Sequence, residues 1–190
     1  METVRNIIFS GVYNLTRVWS LILFDMDGAH LPLSLPHIRL LTFIRPLTNK
    51  YDCRHEIRNN EDKLITLFTC QDNLFWLISN SDVYEQPQLE QIHVFCPSNH
   101  DQQLFTDWAQ RYRDKIEPPF LYEHLDFHLL IFGLEFIEKT LQHLPQDEST
   151  MRQQIQQDKN NILDALDFKF LERINYEDQQ FQLGQQPHDN

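Results

Sequence analysis

Only four glycines, at positions 11, 28, 133 and 184, punctuate this chain of 190 residues, and none belongs to a GxGxxG or Walker loop. Without such a loop no backbone cradle forms for a nucleotide phosphate, which excludes dinucleotide oxidoreductases and P-loop NTPases of the usual kind. Cysteine is equally scarce. Cys53, Cys70 and Cys96 are far apart and odd in number, so they fit neither a disulfide framework nor a CxxC zinc pair and read as reduced, buried thiols. Basic residues are few: 16 Lys and Arg stand against 28 Asp and Glu, a formal charge of −12. A broad nucleic-acid interface needs clustered cations, so that partner is excluded, and an acidic surface favours basic partners instead. No apolar run approaches the roughly 18 to 20 residues that span a bilayer. Residues 1–17 interrupt their apolar positions with Glu2, Arg5, Asn6, Asn14 and Arg17 and make a poor signal peptide, which predicts a cytoplasmic chain with no membrane partner and an unused Asn14-Leu15-Thr16 sequon.

What is present is a series of short apolar runs. Val18 to Phe24, Leu64 to Thr69 and Gln91 to Cys96 are continuous enough to be strands covered on both faces, and Leu40 to Arg45, before Pro46, is a weaker candidate. Between them lie helical segments at Asp52 to Asn60, Asn73 to Ser81 and Asp101 to Asp114. Strands alternating with helices predict βαβ crossovers. The expected fold class is therefore α/β: a small, doubly wound, mostly parallel sheet with a carboxyl-terminal helical extension. The expected divisions are an amino-terminal extension at 1–17, an α/β body at 18–117 closed by Pro118-Pro119, a helical extension at 120–178 and a disordered tail at 179–190.

The extension divides into Leu121 to Leu144, apolar nearly all round, and Asp147 to Asn175, with Met151, Ile155, Ile162, Leu166, Phe170 and Ile174 in one stripe. Leu129, Leu130, Ile131, Phe132, Leu134, Phe136 and Ile137 exceed what one helix face needs to cover a small sheet. Either the following helix buries them, or a protein partner, another domain of a longer chain or a second copy does.

One motif carries chemistry. Leu21-Ile22-Leu23-Phe24-Asp25-Met26-Asp27-Gly28 is an apolar strand ending in two carboxylates. It resembles the first motif of the haloacid-dehalogenase superfamily, which implies an Mg²⁺-dependent phosphohydrolase in which Asp25 is the nucleophile, Asp27 the general acid and base, and both hold the metal. Ile78-Ser79-Asn80 resembles that family's second motif and Lys115 the lysine of its third. Ala29 stands where the family has Thr, and no acidic pair after a strand supplies a fourth motif, since Asp126 and Asp164 fall in helical segments.

A second resemblance spans more of the chain. The strand ending Phe24-Asp25, Asp52-Cys53, Glu61-Asp62-Lys63 before Leu64, the block Pro87 to Cys96, and Trp108 and Tyr112 before Lys115-Ile116 are similar to a receiver-like, flavodoxin-like region. That region stands at the amino end of large invertebrate multidomain proteins, ahead of tetratricopeptide repeats or an ADP-ribosyltransferase-type domain. The resemblance implies a regulatory or protein-interaction module with no cofactor. A working receiver needs a phosphoacceptor Asp at the end of its third strand; Thr69-Cys70 occupies that place and Asp72 comes too late, which implies that phosphotransfer is lost.

The remaining candidates have ordinary readings beside their chemical ones. His124 and His128 share a helix face but bring no third metal ligand. His93 lies inside an apolar strand and reads as a core imidazole. Cys70 and Cys96 close strands at the edge where α/β ligands bind, yet buried thiols there are commoner than nucleophiles. Ser79 and Ser81 have no Gly-x-Ser-x-Gly context.

Overall fold

In a computed structural model, the described residues are 18–23, 35–79, 81–112, 114–145 and 148–184. The chain forms two compact units, Met1–Asp126 and Phe127–Asn190. Residues 1–17, which hold the sequon, lie outside the described residues, as do Asp25, Asp27 and Gly28.

The first unit is built on five strands, β1 (Val18–Leu23), β2 (Ile44–Leu47), β3 (Leu64–Cys70), β4 (Leu89–Cys96) and β5 (Phe120–Leu121), all parallel and ordered β2-β1-β3-β4-β5. β3 is the middle strand, and its side chains from Ile65 to Cys70 are all buried, which explains its unbroken apolar sequence. Register sends alternate residues to opposite faces. Ile65 and Leu67 of β3, with Ile92, Val94 and Cys96 of β4, form one core cluster with Cys53 and Ile57 of α1 (Lys50–Asn59), Leu74 and Leu77 of α2 (Gln71–Ser79), Val83 of α3 (Ser81–Tyr84) and Phe105 and Ala109 of α4 (Asn99–Ala109). The other face carries Phe68 and Phe95, also buried. Phe68 pairs with His93 in register and their rings stack 4.5 Å apart, which leaves His93 half-buried against the core. Local chemistry fixes the helix starts: Asn49 accepts the Asp52 N–H at 2.8 Å before α1, and Ser98 accepts that of Asp101 before α4.

Two boundaries differ from expectation. The second strand is Ile44–Leu47 and contains Pro46, where the sequence pattern ends the run. β2 is an edge strand, so a residue without an N–H is tolerated there. At the opposite edge, Pro118-Pro119 does not close the body. Lys115 O accepts from Ile92 N (2.7 Å) and Glu117 N donates to Ile92 O (2.9 Å) before the prolines, and β5 pairs with β4 after them. The two prolines interrupt an edge strand, and the unit continues to Asp126. That carboxylate, 4% exposed, accepts from His37 N at 3.3 Å and lies 2.7 Å from His37 Nδ1, tying the stretch before β2 to the end of the unit.

The second unit holds α5 (Leu125–His143), which begins two residues earlier, and α6 (Ser149–Gly184). Lys159 Nζ meets Glu138 Oε1 at 2.7 Å, Arg152 donates to Leu141 O and Leu144 O, and Phe127 packs edge-on to Phe170. These pairs set an antiparallel hairpin. The apolar surplus of α5 is absorbed, since Leu129, Leu130, Phe136 and Ile137 are buried and Ile131, Phe132 and Leu134 half-buried. α6 runs past the expected fraying point at Gln179, in keeping with the good helix propensity of Gln, and residues 185–190 lie outside the described residues. On its solvent side Gln154, Gln156 and Gln157 each donate to the side chain four residues on.

Candidate functional site at the carboxyl edge of the sheet

Ligands of open α/β sheets bind outside the carboxyl ends of the strands. Here β3 passes directly into α2 at Cys70-Gln71, and β4 ends at Cys96, after which Pro97 and the cap Ser98 start α4. Between these two helix starts lies a cleft of about 160 Å³ lined by Cys70, Gln71, Asp72, Phe95, Pro97, Asp101 and Tyr122.

The chemistry of this cleft is sparse. Burial pushes the Cys70 thiol up to about 11, even though the N–H groups of Asn73 and Asp72 at the start of α2 point at its sulfur and act against that shift; the Asp72 carboxylate adds to the rise. Cys96 is pushed up to about 12, first by burial and then by the nearby Asp101 and Cys70. Both thiols are protonated at neutral pH and neither is a nucleophile. Cys70 stands in register with Phe95, so Cys70 and Cys96 leave opposite faces of the sheet and are not placed to form a disulfide. Ser98 Oγ donates to Asp101 Oδ2 at 2.5 Å, which engages one of the two lining carboxylates in capping. Among the described residues no Lys, Arg or His lines the cleft, so no described side chain there neutralises a phosphoryl group.

Among the described residues, Ser79 and Lys115, the others singled out by motif, do not gather at this edge. Ser79 is in the last turn of α2, not at a strand end, and its hydroxyl donates to Phe75 O at 2.8 Å. Lys115 is at the opposite edge: its Nζ donates to Tyr84 O (2.8 Å) and Gln86 O (3.0 Å), ahead of β4, and lies 5.3 Å from the Tyr84 ring. The lysine therefore clamps the loop entering β4, a role that sequence spacing could not reveal because its partners are some 30 residues away. Replacing it in Lys115→Met is expected to cost about 1–3 kcal/mol of unfolding free energy, since both carbonyls lose a charged donor. Urea denaturation checks this, and a change below about 0.5 kcal/mol would show the clamp to be ornamental.

β1 ends at Leu23, in register with Thr69, one residue before the end of β3. Asp25 and Asp27 themselves lie outside the described residues. Among the described residues no group of three or more His, Cys, Asp or Glu is placed to hold a metal ion. His124 is 3.7 Å from Glu123, and His128 packs edge-on to Phe127. No described helix is long and apolar enough to cross a membrane. Comparison with known protein families, curated proteins and solved structures finds no match to this chain.

Proposed function

We propose that the chain is a non-catalytic protein-interaction or regulatory module with a degenerate receiver-like body. The observation that carries this reading is the end of β3, where Thr69-Cys70 occupies the phosphoacceptor position and the thiol is protonated and buried. The strand order β2-β1-β3-β4-β5 supports it, being the flavodoxin-like order in which one helix set covers each face. So does Lys115, which serves the opposite edge from the one where the lysine of the haloacid-dehalogenase third motif would meet a phosphoryl group. Three free, buried cysteines support a reducing, cytoplasmic setting. The partner is another protein, another domain of a longer chain or a second copy.

Incubation with Mg²⁺ and acetyl phosphate, followed by mass spectrometry, is expected to give no phosphoryl adduct, and p-nitrophenyl phosphate turnover is expected to be at background in wild type and Asp25→Asn alike. Turnover above background that Asp25→Asn abolishes would instead establish an Mg²⁺-dependent phosphohydrolase with Asp25 as nucleophile and Asp27 as acid.

A further inference from the structure

We draw no further inference here: the strongest candidate, the exposed apolar patch of Phe170, Leu171 and Ile174 on the later part of α6, is flanked by charges of both signs at Asp167 and Arg173, and nothing in the structure shows what covers it.

Discussion

Phe68→Ala is expected to lower the unfolding free energy by about 3–5 kcal/mol, a large part of the 5–15 kcal/mol that holds a typical domain together. Phe68 is 0% exposed and sits on β3, the strand that hydrogen-bonds to β1 on one side and β4 on the other. Its ring is also the flat surface on which His93 stacks, with an angle of 9° between the planes. Truncation would remove that partner and leave a cavity at the centre of the sheet, where flanking strands on both sides hinder collapse into the gap. Phe68→Leu keeps most of the volume and is expected to cost less than half as much. Leu104→Ala on α4, where the side chain is 59% exposed, is expected to stay within about 0.5 kcal/mol of wild type. Urea titrations of the three variants at pH 7 give the comparison; a Phe68→Ala cost near that of Leu104→Ala would mean that this face of the sheet is not packed as described.

The same burial explains which parts of the fold could be read from sequence. Val18–Leu23, Leu64–Cys70 and Leu89–Cys96 are inner strands, and inner strands of a parallel sheet are covered on both sides, so β1 and β3 stand out as apolar runs, whereas β4 does so only towards its end, after the exposed Glu90. The edges were illegible for the converse reason. Pro46 and Pro118-Pro119 look like breaks, yet an edge strand needs hydrogen bonds on one side only and accommodates them. The candidate site was legible in part. The end of β3 at Cys70 follows from the apolar run, but its thiol faces the start of α2, and the clamp of Lys115 on Tyr84 and Gln86 depends on tertiary placement. In the helical hairpin, periodicity found the stripe from Ile155 to Ile174 but could not divide it into a covered and an open part. That division comes from the unequal lengths of α5 and α6. The exposed apolar surface accordingly belongs to α6, whereas composition alone points to Leu129–Ile137 of α5, where every apolar side chain is at least half-buried.

Raising the pH from 8 to 11 is expected to unfold the protein, through its thiols. Burial, helped by the charge of Glu56, pushes Cys53 from 9.0 up to about 12; burial, Asp101 and Cys70 do the same to Cys96, and burial raises Cys70 to about 11. Below pH 9 each thiol keeps its proton whether the chain is folded or not, and stability does not depend on these groups. Between pH 9 and 11 the unfolded chain releases protons that the folded chain retains, so each thiol takes away about 1.4 kcal/mol per pH unit. The loss ends only once the folded thiols ionise too, at about 11 and 12. Cys53 alone then removes about 2–3 kcal/mol by pH 11, and the three together remove an amount comparable to the stability of an ordinary domain. Lys115 acts in the opposite sense, because burial lowers its pKa and the folded chain gives up that proton first, but it is one group against the three thiols and Tyr84, whose hydroxyl burial pushes from 10.0 up to about 12. The alkaline midpoint is therefore expected between about pH 10 and 11. Cys53→Ala removes one of the three titrations and should flatten the fall of stability between pH 9 and 11 by one proton, whatever it costs in packing at pH 7. Unfolding free energies measured by urea at half-unit steps from pH 8 to 11 decide the matter. A flat profile across that range, or a wild-type slope equal to that of Cys53→Ala, would show that water reaches the thiols and that the core around α1 and β4 is looser than its packing implies.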